Sequence, residues 1–256
     1  MAWELFDDKG RVCRKEWGIE AKRAFRDRNV RMTIPGNTVL GFTRPSNVQT
    51  GPNTEGSPFR LTILMHAAPL EPQRNMLPAR DSVRLLSMLS SLLNRLPVRQ
   101  VRMVAFNLEQ EKEIFRQDNF QADAIEEVAQ AISSLQLSVI DYHVLQNRRG
   151  HVELLADLIN REMAAPSCPD IVLFLGPLSK QVDRFPEQLL KKSPGKAPHF
   201  FYLQYRPFLH LQPALPDVIQ TVVRRLKGET VVVNDPGNFQ KGIEAIEHIV
   251  GATPSR

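Results

Sequence analysis

The feature that most constrains this fold is an alternation that runs through the chain after residue 60. Short apolar runs, LTILMHAAPL (61–70), VRMVAF (101–106), DIVLFLG (170–176), HFFYLQY (199–205) and ETVVVN (229–234), are separated by longer segments with helical spacing of their apolar residues. A strand covered on one face alternates apolar with polar residues, whereas a strand covered on both faces is apolar nearly throughout. These runs are mostly of the second kind. Helices that alternate with such strands cross back over the sheet and keep it parallel. The expected fold class is therefore α/β, with a mostly parallel central sheet of about six strands, one antiparallel edge strand and helices on both faces.

The helical segments carry their own punctuation. LPARDSVRLLSMLSSLLNRLP (77–97) sets Val83, Leu86, Leu89, Leu93 and Leu96 on one stripe that Leu85 and Leu92 widen, with Pro78 near its start and Pro97 as its stop. DAIEEVAQAISSL (123–135) repeats Ile125, Val128, Ala129, Ile132 and Leu135, and HVELLADLINREM (151–163) repeats Val152, Leu155, Ile159 and Met163. LPDVIQTVVRRL (215–226) and FQKGIEAIEHIV (239–250) are helical, the latter weakened by Gly242, and FPEQLLKK (185–192) reads as a short helix. EKEIFRQ (111–117) follows VRMVAF across Asn107 to Gln110 and makes the hairpin that supplies the antiparallel edge. LSVIDYHVLQ (137–146) fits either extended chain or a surface turn.

Residues 1–58 read as an N-terminal extension: a short helix around 16–27, a hairpin over 30–42 at Pro35-Gly36-Asn37, and a Pro- and Gly-rich linker over 43–58. The α/β domain is expected over 59–252. The net charge is +5, from 33 Lys and Arg against 28 Asp and Glu, and the basic residues are scattered among acids. That pattern gives no nucleic-acid footprint. No run of about 18 apolar residues is present, so no membrane span is expected. MAWELFDDKGRVC lacks a basic stretch followed by an apolar one, so no signal peptide is in view and the compartment stays unassigned. Cys13 and Cys168 belong to no CxxC or Cys/His cluster, and whether they pair is open.

Taken in order, the elements from 60 to 250 resemble a von Willebrand factor type A domain. RMVAFNLEQEKEIFRQ (102–117) is similar to that family's second strand entering its antiparallel edge strand, with Phe106 where such domains carry an aromatic. PDIVLFLGPLS (169–179) resembles the fourth strand, and ETVVVNDPGNFQKGIEAI (229–246) the last strand and helix. More narrowly, the chain resembles a divergent, often exported branch found in acidobacteria, which leaves an exported or periplasmic location as an expectation. The metal-binding members carry Asp-x-Ser-x-Ser after the first strand, a Thr in the loop between the middle helices and an Asp after the fourth strand. Mg²⁺ needs a near-octahedral set of oxygens. By resemblance the first set falls on His66, Ala68 and Leu70, the last Asp on or beside Gly176, and the Thr near Gly150 and His151. The metal-ion-dependent adhesion site is expected to be lost, with no metal and no cofactor.

His66 and His151 fall at the same end of such a sheet. They could form a pair that reaches for a transition metal with a carboxylate such as Asp81, or His66 could serve as a base for Ser82 or Ser179. Neither serine lies in a G-x-S-x-G elbow, and Gly176 followed by Pro177 makes a poor phosphate cradle. The leading expectation is a non-enzymatic protein-interaction module whose partner surface lies at the C-terminal end of the sheet: His66, Pro69, Leu70, Pro72, Arg74, Asn107, Arg148, Arg149, His151, Pro177 and Leu178. A protein partner is expected, and a small-molecule substrate is not. The alternatives are a hydrolase using His66 and a structural subunit anchored through the N-terminal segment, where Trp3, Phe6, Trp17 and Phe25 cluster.

Overall fold

Apolar residues on both faces of a strand demand cover on both sides, and the chain supplies it. The computed structural model describes residues 2–6, 12–16, 59–70, 77–135, 149–165, 168–179, 185–192, 195–206 and 217–252. It divides into two compact units, Met1–Thr38 and Val39–Arg256. In the first, β1 (Ala2–Phe6) and β2 (Val12–Glu16) form an antiparallel pair with Ala2 opposite Glu16 and Phe6 opposite Val12. No strand was expected there. The expected helix over 16–27 lies outside the described residues apart from Glu16, which ends β2. The hairpin over 30–42, the linker over 43–58 and the ambiguous 137–146 also lie outside them.

The second unit holds β3 (Phe59–His66), α1 (Ala79–Arg95), β4 (Val98–Asn107), β5 (Lys112–Gln117), α2 (Ile125–Ser133), α3 (Gly150–Ala164), β6 (Ile171–Pro177), β7 (His199–Tyr205), α4 (Val218–Arg225), β8 (Glu229–Val233) and α5 (Pro236–Ala252). The sheet order is β5-β4-β3-β6-β7-β8. Only β5 is antiparallel to its neighbour. This is the Rossmann-like, von Willebrand factor A-like arrangement, an α/β fold with a six-stranded mixed sheet and helices on both faces.

Strand alternation sorts the core into two layers. Leu61, Ile63, Met65, Met103, Leu173 and Leu203 face α1, α2 and α5, while Leu64, Val104, Phe106, Phe174 and Tyr202 face α3 and α4. On α1 the buried stripe is Leu85, Met88, Leu89, Leu92 and Leu96. Each fully buried leucine contributes about 1.5–3 kcal/mol relative to exposure. The expected stripe is therefore turned: Leu86 and Leu93 are half-buried, and Val83 is 52% exposed. Leu85 and Leu92, expected at the margin of the stripe, are core residues together with Leu89 and Leu96 from the stripe itself. The 185–192 segment closes only a single 3-10 turn, Glu187–Leu189. Gly242 is a close-approach position, since a Cβ there would lie 2.6 Å from Leu203 Cδ2. Among the described residues no helix is long and apolar enough to cross a membrane.

Candidate functional site

In open α/β sheets the crevice forms where neighbouring strands send their connections in opposite directions. Here β3 connects onward to β4 on one side and lies against β6 on the other. At their C-terminal ends stand Phe106, His66, Gly176 and Gln204, side by side on four successive strands. The side chains of Phe106, His66 and Gln204 belong to the layer under α3 and α4, by alternation from Val104, Leu64 and Tyr202.

His66 is fully buried, with its ring tilted against Phe106 at 5.4 Å between centroids. Nε2 lies 3.3 Å from Glu109 Oε2, a contact in which the ring N–H donates and the carboxylate accepts. The Leu108 N–H, 3.5 Å from Nε2, is a weak competitor. Nδ1 is buried with no hydrogen-bond partner. Asn107 locks the loop that follows β3, because its Nδ2 donates to Ala67 O at 2.7 Å and its Oδ1 accepts from Gln110 N at 2.8 Å.

The far side of the crevice is organised by Asp217, a residue not singled out from sequence. It is fully buried and caps α4, with Oδ1 accepting from Gln220 N at 2.6 Å. Oδ2 accepts from Ser179 N at 3.0 Å, Tyr202 Oη at 3.0 Å and Gln204 Nε2 at 3.2 Å. The carboxylate orients the Gln204 amide and leaves its Oε1 buried without a partner. Burial, followed by the Asp217 charge, pushes the Tyr202 phenol well above its ordinary range, so it stays protonated and donates. Asp217→Asn keeps one acceptor where three N–H donors converge with the Tyr202 hydroxyl, whose single proton is shared with Pro177 O at 2.8 Å, and a loss of about 1–3 kcal/mol is expected in urea unfolding. A loss under about 0.5 kcal/mol would show that these donors are satisfied elsewhere. The sequence did carry a signal, an Asp just before a helical run, which is cap chemistry.

No family model matches the chain, and no curated protein sequence matches it.

The other expected residues are distributed as follows. Pro69, Leu70 and Pro177 are buried, Leu178 and His151 are half-buried, and Arg149 is exposed. Pro72, Arg74 and Arg148 lie outside the described residues. Asp81 accepts the Leu70 N–H at 3.2 Å from α1, on the face opposite the His66 ring. It is not gathered with His66, and among the described residues no three His, Cys, Asp or Glu side chains are placed to hold a metal ion. Ser82 also sits on α1, its hydroxyl 3.5 Å from Pro78 O. Ser179 Oγ accepts from Ile219 N at 3.4 Å. Cys168 is a free thiol whose pKa burial pushes up.

Gly176 explains the pairing of β3 with β6 at this level. A Cβ there would fall 2.6 Å from His66 O and 2.9 Å from His66 Cβ, and its φ of +155° favours glycine. The two helix N-termini beside the crevice are each met by a carboxylate of this chain. Asp217 caps α4, and the Glu111 carboxylate fills the space that a side chain on Gly150 would take at the start of α3.

A second buried carboxylate lies on the same face. Glu162 of α3 is fully buried, with Oε2 accepting from Thr62 Oγ1 at 2.9 Å and Arg102 Nη1 at 2.6 Å, and Oε1 from Arg116 Nη1 at 3.2 Å. Arg116 also holds Glu113 at 2.8 Å, and Glu113 pairs with Arg161 at 2.6 Å. Five charges thereby tie α3 to β4 and β5.

Proposed function

We propose that this chain is a protein-interaction module of the degenerate von Willebrand factor A-like type, of the divergent branch its sequence resembles, with the metal-ion-dependent adhesion site lost. The observation that supports this reading is the close approach at Gly176. The position that would carry the fourth-strand carboxylate has no room for a side chain, and Ala68 and Leu70 bring no ligating side-chain atom. Phosphate binding is disfavoured as well, because the helix dipoles that would attract an anion already face Asp217 and Glu111.

In this reading His66, Pro69, Leu70, Asn107 and Pro177 form the buried floor of the partner surface. Arg149, His151 and Leu178 are its accessible part. Aromatic and Arg-rich patches with an apolar centre are what protein partners favour. The test is a photo-cross-linking group placed at 151, followed by capture from native extract with Arg149→Glu and Leu178→Asp as controls. A discrete adduct that both substitutions reduce, at unchanged melting temperature, supports the reading. A turnover of ester or phosphate substrates that disappears in His66→Ala would replace it with the hydrolase alternative.

A further inference from the structure

Two buried side chains at the C-terminal end of the sheet each keep one polar atom without a partner. His66 ends β3, Gln204 lies near the end of β7, and Gly176 of β6 stands between them. Adjacent strands run about 4.8 Å apart, so the two Cα atoms are separated by roughly 10 Å with no side chain from the middle strand. In each residue the other polar atom is met by a carboxylate. His66 Nε2 lies 3.3 Å from Glu109 Oε2, and Gln204 Nε2 donates to Asp217 Oδ2 at 3.2 Å. His66 Nδ1 and Gln204 Oε1 are left over, on residues that are fully buried and 1% exposed. A buried polar atom without a hydrogen bond is costly, and folded proteins supply it with a partner.

The partner these atoms call for is a donor. Gln204 Oε1 only accepts, and a neutral His66 whose Nε2 donates to Glu109 carries a lone pair at Nδ1. The local field calls for a positive one. Asp217 is fully buried, and the groups that meet its oxygens, Ser179 N, Tyr202 Oη, Gln204 Nε2 and Gln220 N, are all uncharged. The Tyr202 hydroxyl, 2.8 Å from Pro177 O, stands beside Gly176 at the head of β6. Burial first, then Asp217 and, more weakly, Glu109 push its phenol up, so the negative potential of both carboxylates reaches this point. The Glu109 side chain is 37% exposed, which puts an anion where the crevice meets solvent.

We propose that the crevice over Gly176 binds a cationic N–H donor, an alkylguanidinium or alkylammonium group, which donates to His66 Nδ1 and Gln204 Oε1. Guanidinium is the better fit, because its planar fork sends donors to two sides and carries no acceptor, whereas an ammonium is a compact point charge. The same chemistry has two sources, a free cation or the Arg or Lys side chain of a partner. Only the second rests on the interaction-module reading; binding of the free cation stands without it.

The experiment is an NMR titration of the full chain, isotope-labelled in its histidines and glutamines, with methylguanidinium chloride. Tetramethylammonium chloride, which has the charge but no N–H, is run in parallel. Expected is a saturable shift of the His66 ring and Gln204 amide signals with methylguanidinium and none with tetramethylammonium at equal ionic strength. Gln204→Met keeps the volume, removes the acceptor and should weaken binding about tenfold or more. If that variant melts early, Glu109→Gln at the exposed mouth decides, with the same direction expected. N-acetylarginine methylamide binding tighter than methylguanidinium supports a partner's side chain as the source, and equal affinities support the free cation. The absence of a saturable shift before the chain begins to unfold overturns the proposal. So does an equal response to tetramethylammonium, or an affinity unchanged in the deciding variant.

Discussion

Glu162→Ala is expected to lower the stability of the folded chain by about 3 kcal/mol, read as a shift in the urea midpoint at constant slope. The Glu162 side chain is fully buried, and those of Arg102 and Arg116 are 17% and 28% exposed. Removing the anion leaves two desolvated guanidinium groups, each with only its outer partner, Asp118 for Arg102 and Glu113 for Arg116. The loss comes from stranding charge rather than from deleting a strong attraction. A triple replacement, Glu162→Met with Arg102→Met and Arg116→Leu, should therefore recover most of the stability, because no charge is left unpaired. If Glu162→Ala costs under about 1 kcal/mol, the two arginines are adequately held by their outer partners and the buried carboxylate is incidental.

The same cluster sets an acid limit. Burial pushes the Glu113 carboxyl up, but Arg116 and Arg161 together outweigh it and hold the group below its ordinary 4.5. A depressed carboxylate binds its proton more readily in the unfolded chain. Its contribution is therefore fully present above about pH 4.5 and is lost as pH falls through the lower folded value. The stability difference between the native chain and Glu113→Gln should be constant at neutral pH and shrink below about pH 4.5. A difference that stays flat into the acid range would mean the two arginines do not bias this group.

The buried strands and the antiparallel edge were legible because strands covered on both faces leave uninterrupted apolar runs, and because EKEIFRQ follows VRMVAF at hairpin distance. The α1 stripe came out turned, since a leucine-rich helix offers several apolar faces and only tertiary packing selects one. β1 and β2 were missed because Glu4, Arg14 and Lys15 hide a period of two in short segments. Of the site, His66, Asn107 and Gly176 were legible from their places at strand ends. The buried carboxylates were not. Glu162 falls on the same helical stripe as Leu155 and Ile159, and a charge on an apolar stripe signals a buried partner. Its arginines lie 60 and 46 residues away in sequence, so spacing alone could not pair them.

Gly176→Asp tests the proposed loss of an adhesion-type metal site by placing a carboxylate at the end of β6, and it is expected neither to fit nor to bind metal. The new Cβ would meet His66 O at 2.6 Å and His66 Cβ at 2.9 Å. Those atoms belong to β3, which is hydrogen-bonded to β4 on one side and β6 on the other and cannot easily retreat. Overpacking of this kind costs about 1–3 kcal/mol, and a positive φ at a non-glycine residue about 1–3 kcal/mol more. A loss of about 3 kcal/mol or more is therefore expected, with Gly176→Ala showing most of it. Nor should millimolar Mg²⁺ raise the melting temperature of either the native chain or the variant. A site filled to 100 times its Kd would stabilise the fold by about 2.7 kcal/mol, a shift that a melting curve resolves. His66, Ala68 and Leu70 offer no carboxylate or hydroxyl, and the Asp217 oxygens already accept four donors. If Gly176→Asp instead folds at the native temperature and gains several degrees with Mg²⁺, the end of β6 has room for a ligand, and the proposal that an adhesion-type metal site was lost must be withdrawn.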